Sequence, residues 1–363
     1  MHTLTGDNEE VKTLLLSVDA SRLNDSSPLD RAAEILRAGG LVAMPTETVY
    51  GLGANALDRA AVERIFAAKG RPAWDPVIVH IADAPMLAVL EGEIPDAVQS
   101  VVEILMEKFW PGPLTLLLPR SKAVPDAVTA GRPLVGVRMP AHPVALELIR
   151  RAGVPIAAPS ANLFGHISPT TAAHVLDDLD GRIDAVLDAG PTEHGVESTV
   201  LDPCQSPMMI YRPGAVTAEQ IRAVAGPVEI YREGAELSMT SEESLPSPGV
   251  GLRHYAPRAR LILVEASTEE MADQLRQTLL QLKQHRVGIM LPADFPALGH
   301  LDNCQIYPWG AWAKPEEMAR KLYAGLRNLD ALGCTVILCP VPPAEGIGAA
   351  LRDRLRKAGT KAL

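Results

Sequence analysis

Two cations separated by one glycine, Lys69-Gly70-Arg71, precede Pro72 and could grip a polyphosphate, with the proline stiffening the arginine. The same pair suits a helix C-terminus, where cations meet the negative end of the macrodipole and glycine stops the helix. Ser160-Ala161-Asn162 lies between Pro159 and Ser168-Pro169. Its hydroxyl and nearby backbone N–H groups could hold phosphate or carboxylate oxygens, although serine and asparagine are also turn formers and helix caps. Arg138 ends an apolar run, where an unpaired cation is costly to bury. A bidentate carboxylate would explain it, either an amino-acid ligand's or an internal Asp or Glu. Thr46 and Thr48 flank Glu47 ahead of Tyr50-Gly51-Leu52-Gly53, whose glycines could permit a tight bend; this is no GxGxxG fingerprint. A lone His80 is more often structural than functional, and Glu197-Ser198-Thr199 and Arg212-Pro213-Gly214 are weak signals singly. The sequence offers no nucleophile–His–acid arrangement, no recognisable carboxylate pair and no metal-ligand spacing. That pattern points to catalysis by positioning and charge neutralisation.

These residues must be held by a common scaffold. Apolar runs at 41–44, 77–79, 135–137 and 155–158 lead directly into Pro-Thr-Glu-Thr, His80, Arg138 and Pro-Ser-Ala-Asn. In an open α/β sheet, ligands sit at the carboxyl ends of the strands. Strands are expected at 13–18, 41–44, 77–81, 114–118, 134–138, 154–158, 185–188, 198–202 and 208–211. Helices are expected from Ser27-Pro28 to Gly39-Gly40, over 58–69 with Asp58 as cap and Gly70 as stop, and at 84–90, 95–109, 142–151, 170–179 and from Thr217. Alternation with some adjacent strands means a mixed sheet. Residues 233–248 read as a linker rich in Glu, Ser and Pro. Strands at 261–265, 287–291 and 335–339, with helices at 268–285, 315–330 and 347–358, then form a second α/β unit.

The 363 residues point to two domains. A net charge of −10 argues against a broad nucleic-acid or anionic-membrane surface. Cysteines at 204, 304, 334 and 339 show no CxxC spacing, so reduced thiols without zinc are expected. No run approaches the about eighteen apolar residues of a membrane span, and residues 1–12 lack the pattern of a signal peptide. The expectation is a cytoplasmic protein.

The ordered motifs PTETVYGLG (45–53), KGRP (69–72), HI (80–81), FWPGPLT (109–115), VRMPAHP (137–143), PIAAPSAN (155–162), GVESTV (195–200) and RPG (212–214) closely resemble the YrdC/Sua5 family. RHYAP (253–257) and GIG…RLRKA (346–358) are similar to its longer, Sua5-type members. The resemblance implies a YrdC-like mixed-sheet α/β catalytic domain at 1–230, a linker and lid at 231–258, and a smaller Rossmann-like domain at 259–363. It implies a nucleotidyltransferase that joins L-threonine, bicarbonate or CO2, and ATP into threonylcarbamoyl-AMP and pyrophosphate. The product would pass to the t6A transferase machinery that modifies tRNA.

Carried over by resemblance, the threonine pocket falls on Thr48, His80, Arg138 and Ser198. The nucleotide side falls on Lys69, Arg71, Asp75, Ser160, Asn162, Ser168 and Arg212, with backbone near Leu134 and Ala158, and Tyr255 closing over it. Lys69 and Arg71 would neutralise charge at the α-phosphate, and Mg2+ would be held mainly by the phosphates. Asp75-Pro76 departs from the family's usual Asn-Pro and sets an extra negative charge near the triphosphate. PGVGLRHYAP departs from PGMKYRHYAP around Gly251 and Leu252. Two other readings remain: an RNA-binding or ribosome-assembly module, and a carbamoyl-transfer domain of the hydrogenase-maturation type. The latter usually carries acylphosphatase and zinc-finger segments that are not visible here.

Overall fold

The computed structural model describes residues 12–24, 27–231, 255–295 and 304–359. The expected tail at 1–10, the linker at 233–248 and the altered stretch around Gly251 and Leu252 lie outside the described residues.

The first part runs β1 (Leu14–Ser17), α1 (Ser27–Arg37), β2 (Val42–Met44), β3 (Gly51–Asn55), α2 (Arg59–Lys69), β4 (Ile78–His80), α3 (Ala84–Leu90), α4 (Asp96–Phe109) and β5 (Leu114–Pro119). It continues α5 (Asp126–Thr129), β6 (Leu134–Arg138), α6 (Pro143–Ala152), β7 (Ile156–Ala157), α7 (Ala172–Leu179), β8 (Ala185–Asp188), β9 (Thr199–Asp202), β10 (Met208–Arg212), α8 (Ala218–Ala225) and β11 (Val228–Ile230). Among the described residues these strands form one mixed sheet in the order β1-β8-β2-β3-β7-β4-β6-β5-β9-β10-β11. The second part runs β12 (Arg260–Val264), α9 (Met271–Gln281), β13 (Val287–Leu291), β14 (Cys304–Pro308), α10 (Pro315–Ala331), β15 (Val336–Pro340) and α11 (Gly348–Ala358). Its sheet, β12-β15-β13-β14, is parallel throughout.

Local chemistry fixes the ends that matter. Asp58 accepts from the N–H groups of Ala60 and Ala61 at the start of α2, and Gly70 closes it at φ 62°, so Lys69 and Arg71 flank a left-handed stop. Parallel pairing of β4 with β6 puts His80 beside Arg138. Sequence periodicity missed β3, because its glycines read as bend residues. They are instead close-approach residues in an antiparallel strand: a Cβ on Gly53 would lie 2.9 Å from Ile156 Cγ2 and 3.1 Å from the Val42 carbonyl oxygen. Three further short elements, α5, β11 and β14, were also missed. The helix expected at 268–285 is confined to 271–281.

Core packing joins the two parts. One apolar cluster holds Val49, Ile167 and Val196 together with Tyr255, Trp309, Met318 and Tyr323. Helix α10 presents Arg320, Tyr323 and Arg327, spaced i, i+3 and i+7 on one face, to the first part. Arg320 donates to the Glu193 carbonyl at 2.8 Å, Tyr323 to the Glu197 carboxylate at 2.9 Å, and Arg327 to Asp178 at 2.8 Å.

The tight β3 contact predicts that Gly53→Ala destabilises the protein by about 1–3 kcal/mol. Gly136→Ala, with its nearest neighbour 3.4 Å from the new Cβ, should change stability by less than about 1 kcal/mol. Urea unfolding of both variants checks this, and equal effects would contradict the close-approach account.

Candidate active site

The ends of β4, β6 and β10, the segments after β2, α2 and β7, and the residues before β9 converge on one cavity of about 60 Å³. Thr48, Arg71, His80, Arg138, Ala158, Ser160, Ser198, Arg212 and Tyr255 all line it, as do Thr46, Gly51 and Glu197.

The lining arginines differ in their partners. Arg138 Nη2 lies 2.6 Å from Glu47 Oε1, Nη1 donates to Thr48 Oγ1 at 3.0 Å, and Nε donates to the Gly112 carbonyl at 3.2 Å. The internal acid considered for Arg138 is thus Glu47. Arg71 is paired with Asp75 at 2.8 Å and donates to the carbonyls of Asp75 and Pro76 at 3.1 and 2.7 Å. Among the described residues Arg212 donates to Ser198, at its carbonyl (3.1 Å) and its Oγ (3.0 Å). Among the described residues no carboxylate lies within ion-pair distance of Arg212.

Several expected residues stand behind the wall instead of in it. Lys69 is 2% exposed, and its Nζ donates to the Ser160 and Asn162 carbonyls, tying α2 to the turn after β7. Burial, then the charge of Arg71, pushes Lys69 well below the ordinary lysine range. Asp75 is fully buried against Arg71, so its charge meets an arginine instead of lying open in the cavity. Asn162 Nδ2 braces its own turn through the Leu163 and His166 carbonyls at 2.6 and 3.0 Å. Ser168 Oγ donates to Glu197 at 2.6 Å. Leu134, at the start of β6, lines a separate small cavity with Val77 and Thr129.

Sequence reasoning missed the importance of Glu197 and the contribution of the second part. Burial opposes ionisation of Glu197, but Arg354, Arg212 and hydrogen bonds outweigh it and bring its carboxyl down to about 2. Tyr255 stacks on Tyr323 with centroids 5.6 Å apart, and the Arg354 guanidinium carbon sits 5.3 Å from the Tyr255 ring centre. The carboxylate and Arg354 are 157 residues apart, so no local pattern in the sequence links them.

Arginines and small hydroxyls gathered at strand ends, closed by the Tyr255 ring, define an α/β protein whose cavity suits small anionic ligands. Residues 34–214 match the Sua5/YciO/YrdC family, described as telomere recombination, and residues 216–360 match the threonylcarbamoyl-AMP synthase C-terminal domain. The threonylcarbamoyl-AMP synthase of Pyrococcus abyssi is 44% identical over 329 residues, covering 90% of this chain and 92% of its own length. That of Bacillus subtilis is 44% identical over 351 residues, covering 96% and 98%. A structure of P. abyssi Sua5 complexed with L-threonine matches with a TM-score of 0.85 at 41% identity, covering 97% of this chain and all of that one. The chain belongs to the YrdC/Sua5 family, among its long, Sua5-type members.

Burial, then the charge of Arg138, pushes His80 from its ordinary 6.5 down to about 3. Between those values the unfolded chain binds a proton that the folded chain refuses, so stability falls as pH drops below 6.5 toward 3. At pH 5.5 this one group costs about 1 kcal/mol. His80→Gln should reduce the stability lost between pH 7.5 and 5.5 by about that amount. Urea unfolding at the two pH values checks it; an unchanged loss would mean that His80 protonates freely in the fold.

Proposed function

We propose that this chain condenses L-threonine, bicarbonate or CO2, and ATP into threonylcarbamoyl-AMP and pyrophosphate. The observation that carries the reading is the unequal pairing of the cavity arginines. Arg138, beside Thr48 and His80, forms a compact polar corner in which a carboxylate can replace or share the contact with Glu47. Arg212, bonded to Ser198, has no carboxylate within ion-pair distance among the described residues, which suits a phosphate. The relatives' shared name supplies the substrates for these two halves.

In the proposed sequence, threonine's neutral amine attacks CO2 and gives up a proton to solvent, or attacks bicarbonate with loss of water, to form a carbamate. A carbamate oxygen then attacks the α-phosphorus, and pyrophosphate leaves. Arg71 and Arg212 offset the charge at the phosphates. Lys69, capped by loop carbonyls, acts by holding the Ser160 turn. Tyr255 covers the cavity and shelters the carbamate from water. Among the described residues no group of three or more His, Cys, Asp or Glu is arranged to hold a metal. Glu197, the carboxylate among the described lining residues, is engaged by Ser168, Tyr323 and Arg354. A protein-held ion does not fit that donor set, and Mg2+ is assigned to the incoming phosphates. The product would go to the t6A machinery in the cytoplasm. No helix among the described residues is long and apolar enough to cross a membrane.

Pyrophosphate release from ATP and bicarbonate should require L-threonine; threonine-independent release, or none, would contradict the reading. Arg138→Lys keeps a charge opposite Glu47 but loses the fork, so it should raise the threonine KM about tenfold and the ATP KM less than about twofold. Arg212→Gln should do the reverse. Steady-state kinetics decide, and parallel shifts in both constants would remove the division of roles.

A further inference from the structure

Glu197 is a carboxylate in the wall of a cavity read here as a phosphate site. Left open, its charge would repel a triphosphate and compete for Arg212, whose own charge it already feels. Three donors hold it from behind. Ser168 Oγ donates to Oε1 at 2.6 Å, Tyr323 OH donates at 3.1 and 2.9 Å to the two oxygens, and Arg354 Nε donates to Oε2 at 2.7 Å. Tyr323 and Arg354 come from α10 and α11, on the far side of the linker. Arg354 is 0% exposed, and a guanidinium that deep is tolerated only with anionic partners, here Glu197 and Asp353. Both residues also pack on Tyr255, which sits at φ 65°, a left-handed conformation that a bulky residue keeps only when its surroundings impose it.

We propose that Tyr323 and Arg354 are positioning residues for the nucleotide half of the site, holding Glu197 away from Arg212 and fixing Tyr255 at the rim. The C-terminal domain thereby sets the affinity for ATP without touching it. The inference rests on the reading of this cavity as the nucleotide site. A purely architectural role for the same contacts would weaken stability and both substrates alike.

The test uses the full chain, with ATP and L-threonine titrated separately by calorimetry. Arg354→Ala lowers ATP affinity tenfold or more and leaves L-threonine affinity within twofold. In a Glu197→Gln background, where no carboxylate remains to be held, Arg354→Ala changes ATP affinity less than threefold. Tyr323→Phe keeps the ring that stacks on Tyr255, removes one donor to Glu197, and lowers ATP affinity about threefold. This conservative variant carries the test if Arg354→Ala fails to fold. Equal losses for both ligands, an undiminished effect in the Glu197→Gln background, or no ATP effect of Tyr323→Phe would each overturn the proposal. Threonine-dependent pyrophosphate release by the unaltered chain, measured alongside, tests the underlying reading separately.

Discussion

Burying a guanidinium without an anion is among the most destabilising things a fold can do, and among the described residues this protein buries four around one small space. Arg71 faces Asp75, Arg138 faces Glu47 and Arg354 faces Glu197, at separations of 2.8, 2.6 and 2.7 Å. Among the described residues the hydrogen bonds of Arg212 go to Ser198. Among the described residues Arg212 has no carboxylate within ion-pair distance, an arrangement that suits a ligand bringing the negative charge.

That pairing scheme dictates much of the architecture. Each acid reaches its arginine from a separate part of the fold: Glu47 from the turn between β2 and β3, Asp75 from the loop before β4, and Glu197 from the approach to β9. The close approach of β3 to β2 and β7, which only glycine permits at position 53, keeps the Thr46–Thr48 turn against Arg138. The second part contributes to the same scheme, because Tyr323 and Arg354 there both donate to the carboxylate of Glu197. An apolar cluster shared by both parts, including Val49, Val196, Tyr255 and Tyr323, holds those donors in register.

Much of this was legible in the sequence where the signal is local. The Asp58 cap and Gly70 stop bounded α2, and the apolar runs ending at His80 and Arg138 located the carboxyl ends of β4 and β6. Strand β3 was illegible because a Gly-Leu-Gly-Ala-Asn run has neither alternation nor β-branched residues, and its reason for being a strand lies in its neighbours. The cavity's floor was legible as residue types, but which side chains face inward was not. Lys69, Asn162 and Ser168 carry the right chemistry and turn it toward loop carbonyls and Glu197. The Glu197–Arg354 pair spans 157 residues, and no periodicity or spacing records a contact of that range.

The central claim is that Arg138 and Arg212 divide the cavity between a carboxylate and a phosphate. A crystal structure of the chain with L-threonine and a non-hydrolysable ATP analogue tests it most directly. The account predicts the threonine carboxylate on Arg138 and phosphate oxygens within hydrogen-bond distance of Arg212, with Glu197 still held by Tyr323 and Arg354. Phosphates seated on Arg138, with Arg212 still bonded to Ser198 alone, would contradict it.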